Sequence, residues 1–275
     1  MIMDGSFKRT DMIMAQTQHD LGPIDLSTGQ HLIVGASRGI GLAWVRHLLT
    51  DHPETQVLAA GRSASTTQAL GDLQSAFPGR LALTDVDITQ PQSVAEWAQT
   101  IPPKTLTAVI NTTGVLHDQS HNLRPEKRLE DIDLDALERV MRVNAWGTAL
   151  LMPAVLPKFR TDTRGVFAAI SARVGSIADN RIGGWYAYRA SKAALNQLIK
   201  TASIEAKRRY PHLIMAALHP GTTDTDLSKP FQGNVPDDQL FSPEFVAKRL
   251  TSVLAGLSES DSGGFFAWDG KPIPF

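Results

Sequence analysis

His31-Leu32-Ile33-Val34-Gly35-Ala36-Ser37-Arg38-Gly39-Ile40-Gly41 is the stretch whose reading decides the fold. Leu32-Ile33-Val34 is a short apolar run of the kind a parallel sheet buries on both faces. It leads into three glycines and then into an apolar-periodic helix carrying Leu42, Trp44, Val45 and Leu48. Strand, glycine turn, helix is the setting a dinucleotide fingerprint needs. Gly35 permits the tight turn, Gly39 a close backbone approach to a pyrophosphate, and Gly41 close packing of helix on strand. The phosphates belong at the helix N-terminus, against the turn residues Ser37, Arg38 and Ile40.

Outward from this turn, strands and helices alternate. Gln56 to Ala60 predicts a second strand, closed by Gly61-Arg62-Ser63. An acidic residue there would hold the ribose 2'-hydroxyl of NAD. Instead, Arg38 and Arg62 place two cations where a 2'-phosphate would lie, so NADP(H) is favoured over NAD(H). Leu81-Ala82-Leu83 predicts a third strand leaving through Asp87 and Ile88, with Thr89 and Gln92 as a capping box for the next helix. Leu106 to Ile110 predicts a fourth strand, ending in Asn111-Thr112-Thr113-Gly114. Helical periodicity resumes from Leu134 to Leu151 and includes Asn144, a polar residue among apolar neighbours. Gly165 to Ile170 and Leu213 to Leu218 predict two more strands, the second closed by His219-Pro220-Gly221 and the hydroxyl-rich Thr222, Thr223 and Thr225. Ser242-Pro243 opens a further helix, and Gly264 to Trp268 supplies a last strand. This rhythm predicts an α/β fold of one domain, residues 30–275, built on a doubly wound parallel sheet (a Rossmann fold), with ligands at the strand C-termini. Residues 1–29 are polar and mixed, and are expected to be an extension with one loose helical turn at most.

Composition excludes several classes of function. Among 275 residues, 27 basic and 28 acidic side chains nearly balance, which gives no reason to expect nucleic acid or a membrane surface as partner. With no cysteine there is no disulfide framework, thiol nucleophile or cysteine-based zinc site. No apolar run is long enough to span a bilayer and no secretory signal opens the chain, so a cytoplasmic protein is expected. His117 and His121 flank Asp118, but no third ligand is placed near them, and a metal reading is rejected.

Chemistry is expected on the helix that begins near Tyr186 and runs to about Lys207. Tyr188 and Lys192 are four apart and share a face. A free tyrosine has a pKa near ~10, and a fixed positive charge nearby favours the phenolate. Lowering it to about 7 takes roughly 4 kcal/mol, which the ammonium and a cationic cofactor ring would supply. Tyr188 then serves as acid for a carbonyl oxygen or base for an alcohol.

Together, Gly35-x-x-x-Gly39-x-Gly41, Asn111-x-x-Gly114, Asn144, Tyr188-x-x-x-Lys192 and Pro220-Gly221 resemble the short-chain dehydrogenase/reductase family, from about residue 31 to the C-terminus. Val174-Gly175-Ser176-Ile177 and Gly183-Gly184-Trp185-Tyr186-Ala187-Tyr188-Arg189 resemble its C-factor-like and sniffer-type branch. The resemblance implies hydride transfer between a nicotinamide and a carbonyl or alcohol carbon of a small-molecule substrate. It implies that Tyr188 is the acid/base, that Lys192 lowers its pKa and holds the nicotinamide ribose, and that Asn144 anchors a water leading to bulk solvent. Asp87 and Ile88 would meet the adenine, Asn111 and Gly114 the adenosine ribose, and Pro220, Gly221, Thr222 and Thr223 the nicotinamide end. Many relatives pair through long helices, so a homo-oligomer (dimer or tetramer) is expected.

Two departures stand out. Asn111-Thr112-Thr113-Gly114 replaces the usual Asn-Asn-Ala-Gly. The substrate-positioning serine of the family aligns with Ala172, leaving Ser171 and Ser176 as substitutes, with Ser171 ranked first. Ala172 keeps a second reading open, a catalytically weak dinucleotide-binding signalling protein. A sugar-nucleotide epimerase is disfavoured because little chain is left for its substrate domain. Substrate choice is expected to lie with Gln119 to Arg128, Asp179 to Trp185 and Leu227 to Leu240, where Leu227, Pro230 and Phe231 suggest an apolar lid.

Overall fold

In the computed structural model, residues 22–275 are described. The helical turn expected before them lies outside this range. The chain runs β1 (Thr28–Val34), α1 (Gly39–Asp51), β2 (Glu54–Gly61), α2 (Gln68–Ala76), β3 (Leu81–Asp85), α3 (Pro91–Gln99), β4 (Leu106–Asn111), α4 (Leu134–Met141) and α5 (Gly147–Val155). It continues through β5 (Gly165–Ile170), α6 (Tyr186–Arg209), β6 (Leu213–His219), β7 (Thr222–Thr223), β8 (Leu240–Phe241), α7 (Pro243–Ala255) and β9 (Gly264–Ala267).

Seven parallel strands form one sheet in the order β3-β2-β1-β4-β5-β6-β9. The order reverses between β1 and β4, which opens a crevice above their C-terminal ends. Every residue of β4 and β5 is buried, as expected for central strands covered on both faces. The period of two appears in β1 itself. Ile33 joins Trp44, Leu48, Val246 and Leu250 on the α1/α7 side, while Leu32 and Val34 join Trp97, Leu151, Leu195 and Ile199 on the other. Ile24 and Leu26 are also buried in the first cluster, so core packing begins ahead of the boundary expected at residue 30. The sheet with helices on both faces is the Rossmann-type architecture the sequence predicts.

Three local expectations need correction. Thr89 and Gln92 form no capping box; the Thr89 amide and hydroxyl both donate to Asp87 Oδ1, and α3 starts at Pro91 behind Gln90. Proline is suited to that first position because its missing N–H would have no helical partner. The helix expected over Leu134 to Leu151 is interrupted by a π-helical turn, Arg142–Trp146, that contains Asn144. Such turns widen the hydrogen-bond ring and re-aim one side chain, here an asparagine. Finally, the threonine loop after β6 includes a short strand, β7, paired in parallel with β8. Among the described residues no helix is long and apolar enough to cross a membrane.

Candidate active site

The glycine turn sits where β1 ends. Gly35 has φ +86, and a β-carbon on it would stand 2.7 Å from Thr112 Oγ1. On Gly41 a β-carbon would come within 2.2 Å of the Gly35 carbonyl oxygen, so helix and turn touch without room for a side chain. The first turn of α1 contains no acid, and its N-cap residue, Arg38, makes no side-chain capping bond. The leading amides of α1 thus keep their partial positive charge for an anion, which fits the pyrophosphate of a dinucleotide.

Ser37 and Ile40 are half-buried in this turn, while Arg38 and Arg62 are exposed. Arg38 Nη1 lies 3.5 Å from Asp226 Oδ2, an exposed pair of small energetic weight. The Asp85 carboxylate at the end of β3 accepts from the Ser65 amide and hydroxyl. Asp87 is turned onto its own loop through Thr89, and Ile88 is buried beside it.

At the β4 exit, Asn111 is buried and hydrogen-bonded within the protein through both its amide nitrogen and its oxygen. Its Nδ2 donates to Thr148 at 2.8 Å, and its Oδ1 accepts from the Thr113 amide and hydroxyl. Through these bonds it braces the loop. Thr112, at a departure from the family pattern, donates to the Val34 and Gly35 carbonyls and ties this loop to the glycine turn. Gly114 presents the open face, where an added β-carbon would meet Lys192 Nζ at 3.6 Å, Asn144 Oδ1 at 3.7 Å and Leu227 Cδ1 at 3.9 Å.

Tyr188 and Lys192 come from the first two turns of α6, and both are buried. Lys192 Nζ stands 5.7 Å from the centre of the tyrosine ring and donates to the Ile170 carbonyl at 2.8 Å. In the protein alone, the expected lowering of the tyrosine pKa is reversed. Burial pushes the Tyr188 phenol above its ordinary value and drops Lys192 to about 7, because loss of water disfavours both charged forms. Asn144, aimed by the π-helical turn, accepts from the Val115 amide at 2.7 Å. Its Nδ2 donates to the Val115 carbonyl and Ser191 Oγ, and Ser191 in turn donates to the Tyr188 carbonyl.

The two serines have different partners. Ser171 is buried and its hydroxyl donates to Asn196 Oδ1 at 2.7 Å, on the α6 side of the strand. Ser176 Oγ accepts from the Asp179 amide at 3.1 Å, and its own proton has no acceptor among the described residues. Ala172 is half-buried on extended backbone between them. Pro220 is buried, and Gly221 packs against Phe241, whose ring would lie 2.6 Å from a β-carbon there. Thr222 pairs with Leu240 and Thr223 with Phe241.

An aromatic wall borders the tyrosine. Trp185 meets Tyr188 with ring centres 6.2 Å apart and Phe231 at 5.0 Å, and Phe231 reaches His117 at 5.8 Å. His117 Nε2 is bonded to the Asp226 main-chain oxygen and His121 Nδ1 to Asp118, so the two rings have separate partners. Sequence reasoning missed Asn196 and the particular contacts of Thr112, Glu126 and Trp185, which it placed only within named segments. Their roles come from contacts with remote segments, for which no local spacing gives a signal.

A glycine turn at the head of α1, facing a buried tyrosine and lysine across the rim of a parallel sheet, defines a dinucleotide-binding protein of the oxidoreductase type. The chain belongs to the short-chain dehydrogenase family, whose model matches residues 30–235. Over 147 residues it is 35% identical to C-signal of Myxococcus xanthus, covering 54% of this chain and 83% of that protein. Its fold matches an NADPH-bound carbonyl reductase from chicken fatty liver with a TM-score of 0.77 and 27% identity, covering 90% and 99% of the two chains. The carbonyl reductase Sniffer of D. melanogaster shares the fold with a TM-score of 0.77 at 22% identity, covering 90% and 100%.

Proposed function

We propose that the chain is an NADP(H)-dependent carbonyl reductase in which Tyr188 acts as acid/base and Lys192 assists it. The observation that carries this reading is the Lys192 ammonium, held by Ile170 beside the Tyr188 ring and 3.6 Å from where a β-carbon on Gly114 would stand. When bound, NADP(H) would supply the hydride or receive it. Tyr188, whose phenol burial keeps protonated, would give its proton to a carbonyl oxygen in reduction and take one from an alcohol in oxidation. Lys192 would hold the nicotinamide ribose, with Gly114 allowing the close approach. Arg38 and Arg62, with the Asp85 carboxylate already engaged by Ser65, support a 2'-phosphate over a free ribose hydroxyl. The similarity to an NADPH-bound carbonyl reductase agrees with this preference. The aromatic wall of Trp185 and Phe231, with Leu227 near Gly114, supports an apolar substrate under a lid. For assembly, exposed Trp146 and Ile204 favour a homo-oligomer.

A second reading, a weakly active dinucleotide-binding signalling protein, is favoured by Ala172 and by the similarity to C-signal. One experiment separates the two. NADPH and NADH are titrated by fluorescence, and NADPH oxidation is followed over a panel of aldehydes, ketones and quinones with Tyr188→Phe as control. Tight NADPH binding with turnover lost in the variant, by about 10²–10⁴-fold for an acid/base group, is the expected result. Binding without turnover selects the second reading, and no binding defeats both.

A further inference from the structure

The turn that leads into α6 is unusual. Gly183, Gly184 and Trp185 all have positive φ, at +71, +67 and +54. For a bulky residue such as Trp185 this conformation persists only where surrounding contacts hold it. Trp185 is also the N-cap of α6 and gives the helix no side-chain cap. The missing acceptors come from a different loop. Glu126, between β4 and α4, accepts the Trp185 N–H on its main-chain oxygen and the Ala187 N–H on its carboxylate Oε2 at 3.2 Å. Arg189 closes the turn from within the helix, donating to the Gly184 carbonyl at 2.9 Å and the Gly183 carbonyl at 3.1 Å.

Glu126 is 4% exposed, and its Oε1 has no hydrogen-bond partner among the described residues. A buried carboxylate with one oxygen unpaired is costly, and a capping role alone could be filled by a serine or aspartate at the N-cap. What the local cap could not do is tie α6 to the loop over the site. That loop is fixed at two places. Asn144 holds Val115 and bonds Ser191, which donates to the Tyr188 carbonyl; Glu126 holds Trp185 and Ala187. The Ala187 N–H, just ahead of Tyr188, is thereby fastened to this loop directly, and the Tyr188 carbonyl is linked to it through Ser191 and Asn144.

We infer that Glu126 is a positioning residue for Tyr188: its carboxylate sets the first turn of α6, and with it the placement of the phenol and of the Trp185 ring beside it. The inference rests on the reading of Tyr188 as the acid/base. Glu126 works through geometry, as an acceptor at one point, rather than through its charge. Small displacements of a reacting group cost rate rather than binding.

The test compares Glu126→Asp, which keeps the charge but withdraws the acceptor by one methylene, with Glu126→Gln, which keeps an acceptor oxygen but removes the charge. Three quantities are read: kcat and KM for a carbonyl substrate, the NADPH dissociation constant, and amide hydrogen exchange over residues 183–190. Glu126→Asp is expected to lower kcat about tenfold or more with NADPH affinity within about twofold, and to speed exchange in that segment. Glu126→Gln is expected to stay within about threefold of the native chain in kcat and exchange. The reverse pattern, or two variants that match the native chain in both readouts, overturns the inference. Should the native chain reduce no carbonyl at all, the proposed function fails, while the exchange comparison still decides whether Glu126 holds the turn.

Discussion

The Ser171 hydroxyl donates to Asn196 Oδ1 at 2.7 Å in the interior, one residue before Ala172, the position the family resemblance assigns to a substrate-orienting serine. A strand places successive side chains on opposite faces, so the hydroxyl of Ser171 braces α6 and that of the neighbouring position is missing. Ala172→Ser is therefore expected to raise kcat/KM for a carbonyl several-fold, in the manner of a restored orienting contact. Ser171→Ala should instead lower stability by about 1–3 kcal/mol, because Asn196 is left without its donor, with kcat little changed. Steady-state kinetics and urea denaturation check both. A large loss of kcat in Ser171→Ala at unchanged stability would reinstate Ser171 as the orienting group.

Much of this organisation was legible in the sequence, for a physical reason. The glycine turn, the buried strands and the Tyr188/Lys192 pair are all encoded by spacing within one or two elements, where periodicity dictates which side chains share a face. Legibility failed where a side chain answers a distant one. Glu126 caps a helix that begins sixty residues later, and Asn196 Oδ1 accepts a hydrogen bond from Ser171 on another element. The effect of burial on Tyr188 is hidden for a related reason. Spacing places the ammonium nearby, but only the packed structure shows how completely water is removed from both groups. The π-helical turn that aims Asn144 likewise leaves no mark in a pattern of 3.6-residue period.

The proposed preference for NADP(H) rests on Arg38 and Arg62. Arg38→Ala with Arg62→Ala is expected to weaken NADPH binding by about tenfold or more and to leave NADH nearly unchanged, since charge-assisted contacts to a phosphate contribute roughly 1.5–3 kcal/mol. Asp226 is the rival partner of Arg38 at 3.5 Å, so Asp226→Asn should strengthen NADPH binding slightly. Fluorescence titration reads each change. An equal loss for NADH and NADPH would move these arginines away from the 2'-phosphate.

His31, within β1, is buried and bonded through Nε2 to the Thr28 carbonyl, and burial lowers its pKa from 6.5 to about 4. His219 at the end of β6 is lowered to about 4 as well, again chiefly by burial. Below pH 6.5 the unfolded chain binds protons that the folded chain refuses. Stability is thus complete above that value and falls as pH drops towards 4, by about 3 kcal/mol for His31. Urea midpoints at pH 7, 5.5 and 4.5 should trace this loss, and His31→Gln should flatten it. A native midpoint that does not move between pH 7 and 4.5 would show that neither histidine resists protonation.

Lys192 gives the sharpest functional pH dependence. Its pKa is lowered from 10.5 to about 7, so the ammonium is present in acid and is lost as pH rises through neutrality. Tyr188 moves the opposite way and stays protonated over the same range. If the charged lysine receives the nicotinamide ribose, kcat/KM for NADPH, which reports the free protein, should decline above about pH 7 with the slope of one proton. Lys192→Arg keeps a charge at every accessible pH, because guanidinium does not deprotonate there. That variant should be slower, since the fork fits poorly beside Gly114, yet its profile should be flat from pH 6 to 9. A native profile equally flat over that range would mean that the lysine stays charged in the folded chain. The hydrogen bond to the Ile170 carbonyl would then outweigh burial in setting its charge.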